Sequence, residues 1–182
     1  HILIVLALAL LSSNSMAQKN SSELQQFFEQ QWQRDLIESP ENASYNGDTR
    51  YNALWTNMSL SAIAQRESAD KETLVTLQRF NREKLSKSDQ LNYDTFKWQL
   101  NQKIARQTFR EYLIPISHQG GVQTADGIIE LLQFNTVKDY KDWLTRLKAF
   151  PTQMEQTIAR MKEGKRLKIM WAKKVLERVP NQ

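Results

Sequence analysis

Cysteine is absent from this chain, which excludes disulfides, cysteine nucleophiles, thiolate zinc sites and lipidation at a cysteine. Glycine (5) and proline (4) are scarce. All-β folds need more turn punctuation than so few breakers supply, so the composition points to helix. Histidine, the usual zinc ligand and general base, occurs twice, as His1 and His118. A zinc site needs three or four ligands, and no His-Glu-x-x-His or Glu-x-x-His pair is present. There is no Gly-x-Ser-x-Gly elbow and no phosphate-cradling glycine loop. Carboxylates are plentiful, but none forms a persuasive buried pair. What is present is ordinary globular material over 182 residues, 40% hydrophobic and 25% charged.

The one long apolar run is Ile2 to Leu11, followed by Ser12-Ser13-Asn14-Ser15-Met16-Ala17. The run is too short to span a bilayer, which takes about 20 apolar residues. With small residues before a break after Ala17, it reads as a secretory signal peptide lacking its basic n-region. The expectation is residues 1–17 as leader and 18–182 as an exported, periplasmic helical portion. Because the chain starts at His1 and stops at Gln182 without tail-like character, it reads as part of a longer protein.

The net charge of +5 is local rather than global. Arg160, Lys162, Lys165, Arg166, Lys168, Lys173, Lys174 and Arg178 stand close together, opposed by Glu163 and Glu177 alone. The rest of the chain is therefore nearly neutral. A solvated helix face is the plain reading; an anionic partner or membrane surface is the sharper one. Nucleic acid is a poor partner for an exported protein, and the aromatic and basic interleaving used for single strands is missing.

Apolar spacing predicts a series of helices. The first covers 22–38 on Leu24, Phe27, Phe28, Trp32 and Leu36, with a new start at Ser39-Pro40-Glu41. Residues 42–57 read as loop around the Asn46-Gly47-Asp48 turn. Helices follow over 59–84 (Leu60, Ile63, Leu74, Leu77, Phe80) and 89–112 (Tyr93, Phe96, Trp98, Leu100, Ile104, Phe109, Tyr112), the latter ended by Pro115. A short helix over 124–134 comes next. Another begins at the capping-box-like Thr136 with Val137, Tyr140, Leu144 and Leu147 inside. Pro151 opens a helix to 163 with Met154, Ile158 and Met161 inside, Gly164 marks a bend, and Leu167, Trp171, Val175 and Val179 define a last basic helix. Such segments pack as an all-α, antiparallel bundle-like array, and each buried Leu or Phe contributes roughly 1.5–3 kcal/mol.

Two constellations can carry chemistry. In Gly47 to Asn52, Arg50 can fork onto a carboxylate and Tyr51 can donate a hydrogen bond; equally, the loop is pinned by one arginine salt bridge. In Arg110-Glu111-Tyr112 and Ser117-His118-Gln119-Gly120-Gly121, adjacent glycines let backbone amides approach a ligand; equally, the turn needs positive φ. Arg50, Tyr51, Arg110, Tyr112, His118, Gln119, Gly120 and Gly121 are the candidate cleft residues.

An ordered series of short motifs runs through both. Glu38-Ser39-Pro40-Glu41, Gly47 to Asn52, Leu91-Asn92-Tyr93-Asp94, Arg110 to Pro115, Gly120-Gly121, Thr136 to Tyr140, Phe150-Pro151, Gln156-Thr157-Ile158 and Met161 to Gly164 follow one another. The series resembles the bacterial family called domain of unknown function 885, over nearly all of residues 23–182. The resemblance implies an exported or lipid-anchored protein of mostly helical, cleft-containing fold, similar to zinc metallopeptidases of the neurolysin and angiotensin-converting-enzyme type. It also implies that the zinc ligands lie in a C-terminal half absent from this chain, so no catalytic or metal residue falls on it. The family usually shows a second glycine and then Pro-Lys where Lys168 and Ala172-Lys173 stand, and losing both breakers favours a continuous basic helix.

Two functions follow as expectations. One is the non-catalytic wall of an exported zinc-dependent peptidase-like hydrolase acting on a peptide-like substrate. The other is a periplasmic interaction module whose basic last helix docks on an acidic partner or membrane. Oligomeric state is not legible.

Overall fold

A computed structural model describes residues 21–179, so the expected leader lies outside the described residues. The regular structure of the described residues is helical, with an isolated antiparallel bridge between Ser117 and Gly120 and no strand. None of their helices is long and apolar enough to cross a membrane. The all-α expectation holds. The chain divides into two compact units, one of residues up to Gln33 with Glu67–Thr108, the other of Arg34–Arg66 with Phe109 onward.

The first unit is built on α1 (21–38, of which it takes the part to Gln33), α3 (Leu60–Leu77, from Glu67) and α4 (Lys87–Arg106). Leu24, Phe27, Leu77, Leu85 and Tyr93 form its core, with Phe28, Phe80 and Phe96 packed against it. The Phe27 and Phe96 rings meet edge to face at 5.9 Å, the geometry favoured by the ring quadrupole. Helix α3 stops at Leu77, short of the expected Lys84. Asn81 there accepts from the Glu83 N–H at 3.1 Å and starts a 3-10 turn, Arg82–Lys84. Helix α4 starts earlier than expected because Ser86 is its N-cap: its Oγ accepts from the Asp89 N–H at 3.1 Å and donates to Asp89 Oδ2 at 2.7 Å. Hydrogen bonds from Ser21 and then Ser86 hold the Asp89 carboxyl below the usual carboxylate range. Buried Asp70 is paired with Lys103 at 2.8 Å.

The second unit carries α2 (Pro40–Tyr45), α5 (Val137–Lys148), α6 (Phe150–Leu167) and α7 (Lys173–Leu176). Part of the expected loop over 42–57 is thus helical: α2 has proline at its start and runs on to Tyr45. Gly47 follows at φ 78, in the turn read from the sequence, and Thr49–Tyr51 is a 3-10 turn capped by Asp48. The helix expected to reach 112 ends at Arg106, ahead of Pro115. Beyond it lie 3-10 turns Gln107–Phe109 and Glu111–Leu113, parted by Arg110 in the left-handed region at φ 49. The expected 124–134 helix is a 3-10 segment, Val122–Leu131, kinked at Thr124. Thr136 and Asp139 make the full capping box of α5.

Two expectations, the inward apolar stripes of α5 and of α6, fail together. Val137, Tyr140, Leu144 and Leu147 of α5 and Met154, Ile158 and Met161 of α6 face outward, while Arg146, Thr157, Arg160 and Gly164 are buried. The cause is the segment that these helices cover. Residues 55–58 have no regular secondary structure, so their backbone groups need side-chain partners. Gln153 Nε2 donates to the Thr56 carbonyl at 2.6 Å, Gln156 Oε1 accepts from the Met58 N–H at 2.7 Å, and Trp55 Nε1 donates to the Arg146 carbonyl at 2.7 Å. Positions 153, 156, 157, 160 and 164 share one face of a 3.6-residue helix, and that face turns inward.

Gly164 is likewise not a bend. It lies inside α6, where a Cβ would stand 2.7 Å from the carbonyl oxygens of both Leu113 and Ile169. The expected continuous basic helix does not form either. Helix α6 closes at Leu167, Lys168 turns left-handed at φ 59, and the N–H groups of Lys168 and Ile169 bond to the carbonyls of Lys165 (3.2 Å) and Gly164 (2.8 Å). That is a Schellman closure, normally built on glycine. It falls where the resembled family shows its second glycine, so the chain turns there even with lysine in place. Helix α7 is only Lys173–Leu176, begun after Ala172, where the family shows proline.

Candidate functional site

The second unit encloses an open cavity of about 540 Å³. Its lining comes from three stretches of the unit. Glu41, Tyr45 and Trp55 come from α2 and the segment after it, Pro115, Gly121, Val122, Thr124, Ala125, Gly127, Ile128 and Leu131 from the loop and 3-10 region, and Phe150, Gln153, Thr157 and Arg160 from α6. A space of this size with apolar walls and a few placed polar groups has the character of a small-ligand site.

One buried arginine, Arg160, lines it, and a second, Arg146, packs on the lining residue Trp55. Arg146 is fully buried; its Nη2 donates to the Tyr51 carbonyl at 3.0 Å and to Ser44 Oγ at 3.2 Å, and its guanidinium lies 5.3 Å from the Trp55 ring centre. Ser44 in turn donates to Asn52 Oδ1 at 2.7 Å. Burial pulls the Arg146 pKa down, and the carboxylates of Glu41 and Asp142 push back. Glu41 is held in place by the Thr56 N–H at 3.0 Å and by the Thr56 hydroxyl. Arg160 is 7% exposed and its Nη2 donates to Thr157 Oγ1 at 3.0 Å. Burial also lowers its pKa, and the like charge of Arg66 lowers it further.

Of the residues singled out in the sequence, Gly121 lines this cavity. Its φ is 151, and a Cβ there would meet the Pro115 carbonyl at 2.8 Å, so glycine lets two strands of the loop touch. Gly120, at φ 154, closes the bridge to Ser117 by a 2.9 Å bond from the Ser117 N–H. His118 is half-buried within that loop and Gln119 is exposed, its N–H bonded to Ser117 Oγ at 3.1 Å. Arg50 forks onto Asp48, Nε to Oδ1 at 3.0 Å and Nη2 to Oδ2 at 2.6 Å, and lies over the Tyr51 ring. It is therefore the pin of its own loop. Tyr51 accepts from Arg146 Nη2 through its carbonyl. Arg110 is exposed and Tyr112 half-buried in the 3-10 turns, away from the cavity lining.

Sequence reading missed Glu41, Trp55, Gln153, Thr157, Arg146 and Arg160. The available signal was the polar and small stripe 153, 156, 157, 160 and 164, set at the same helical spacing as the apolar one. Among the described residues, no three His, Asp or Glu side chains come together as a metal site, so zinc does not fit on them.

Neither the curated proteins nor the solved structures give a match to this chain. The family model for bacterial proteins of unknown function, DUF885, matches residues 40–182. That stretch contains α2 to α7 and the whole cavity lining, and the chain belongs to the DUF885 family.

Proposed function

We propose that this chain is the non-catalytic, substrate-shaping wall of an exported, zinc-dependent hydrolase of the peptidase type, acting on a peptide-like substrate. The observation that carries the reading is the outward face of α5 and α6. Val137, Tyr140, Leu144, Leu147, Met154, Ile158 and Met161 are between 38% and 71% exposed. Two apolar stripes at full helical periodicity, more than a third exposed even where Ile158 and Met161 line a groove with Ile114, Met170 and Trp171 of the same unit, fit surfaces that another body covers. The open cavity supports a cleft, and the run Ile2–Leu11 followed by small residues supports export. Zinc and the bond-breaking groups belong, on this reading, to residues other than those described.

Metal content and turnover test the division of labour. The chain as it stands should retain no stoichiometric zinc after dialysis and hydrolyse no peptide. The gene product extending past Gln182 should cleave peptides and lose that activity to a chelator. Chelator-sensitive turnover by the present chain, or a longer product inert towards peptides, would refute the reading.

A further inference from the structure

The polar end of the cavity is unbalanced. Arg160 carries a full charge at 7% exposure, yet its buried Nε finds no acceptor, and Nη2 is bonded to the neutral hydroxyl of Thr157. Arg146 differs in its surroundings. Two carboxylates, Glu41 and Asp142, act on it, whereas Arg160 makes no ion pair among the described residues: its bonded partner is the Thr157 hydroxyl, and Arg66 adds a like charge. A buried cation without a counter-ion is costly, and a planar guanidinium fork matches the geometry of a carboxylate. Arg160 itself lines the cavity, beside Thr157 and Gln153.

We propose that this cavity is a binding site for a free, singly charged carboxylate on an apolar body, with Arg160 as the group that receives the carboxylate. The chemistry of the walls narrows the class. Trp55, Phe150, Val122, Ile128 and Leu131 give the ligand's body an apolar lining. Glu41 shares that lining as an anion, with Thr56 donating to both of its oxygens. It therefore opposes a dianion such as phosphate, and no lysine lines the cavity to offset it. One unbalanced positive charge takes one negative charge. The inference deepens the cleft-wall reading by naming what the cleft accepts. It is measured as binding without turnover, so its failure and the failure of the hydrolase reading are separate results.

The probe is 3-phenylpropionate, titrated into the chain and followed by the indole N–H signals of 15N-labelled protein, with 3-phenylpropionamide as its neutral twin. The acid should bind and shift the Trp55 indole signal, and the amide should bind roughly tenfold more weakly or worse, having lost the charge-assisted contact. Arg160→Gln should weaken the acid by a similar factor and leave the amide unchanged. Where Arg160→Gln fails to fold, the acid-against-amide comparison on the unaltered chain decides. Equal affinity for acid and amide, shifts that spare Trp55, or no binding up to about 10 mM probe would overturn the assignment. A probe that binds this chain but is excluded from the longer gene product would also overturn it, by giving the site to a carboxylate of the polypeptide itself.

Discussion

Gly164→Ala should destabilise the second unit by about 2 kcal/mol, even though alanine is the better helix former by about 1 kcal/mol. The substitution sits inside α6, where propensity alone predicts a gain. Against it stand two carbonyl oxygens, of Leu113 and Ile169, each 2.7 Å from the new methyl, and the Leu113 Cβ at 3.3 Å. Backbone oxygens cannot rotate away as a side chain can. Both also belong to segments fixed elsewhere: Leu113 is buried, and the N–H of Ile169 is tied to Gly164 in the closure of α6. Overpacking therefore wins over propensity. The check is the urea midpoint, with Gly127→Ala as control, since a Cβ at Gly127 meets nothing within 4 Å. A drop at 164 with no drop at 127 is the expected pair. A rise at both would mean that α6 does not touch the Leu113 turn.

Arg146→Ala should cost more, about 3 kcal/mol. The side chain joins three places in one unit: Ser44 on α2, the Tyr51 carbonyl and the Trp55 ring. Truncation leaves a void where a fully buried side chain stood and strips the Tyr51 carbonyl of its donor. An opposing effect sets the pattern to look for. Nε and Nη1 of Arg146 are buried without acceptors, so removing the charge also relieves a desolvation cost. Arg146→Met keeps most of the volume while removing that charge, and should lose only about half as much. Urea unfolding of the two variants side by side tests this. Methionine as damaging as alanine would mean that the polar bonds of Arg146 outweigh its packing, the reverse of the expected order.

Local chemistry was legible in the sequence wherever it was short-range. The Pro40 start, the Asn46-Gly47-Asp48 turn and the Thr136–Asp139 capping box involve residues at most a few positions apart, and each forms as read. The family also came through, because its motifs are ordered along the chain. What failed was the choice of inward face on α5 and α6. Apolar periodicity states that a helix has two faces but not which one meets the rest of the unit. The inner neighbour of these helices is an irregular segment at 55–58, whose carbonyls and amides need Gln153, Gln156 and the backbone of Arg146. Those partners lie about a hundred positions away in sequence, beyond any local pattern. The candidate site followed the same rule. For Arg50 the sequence left two readings, a fork free for a carboxylate and a salt bridge pinning its own loop, and its pairing with Asp48 two residues before it is the second. Arg160 was hidden in a basic cluster that looked like a solvated surface. Its burial comes from the fold, as does the break at Lys168 that splits the cluster in two.

For this chain to be one wall of a larger cleft, the apolar stripes of α5 and α6 must be covered by something else. The absence of cysteine from residues 1–182 makes single-cysteine labelling of this chain clean. Leu144→Cys and Met154→Cys, on chain ending at Gln182, should react with a water-soluble maleimide at the rate of an exposed thiol. The same two positions in the longer product that the proposed reading requires should react at least roughly tenfold more slowly, as thiols shielded by packing do. Equal rates in the two proteins would show these stripes facing solvent in both, and would contradict the cleft-wall claim.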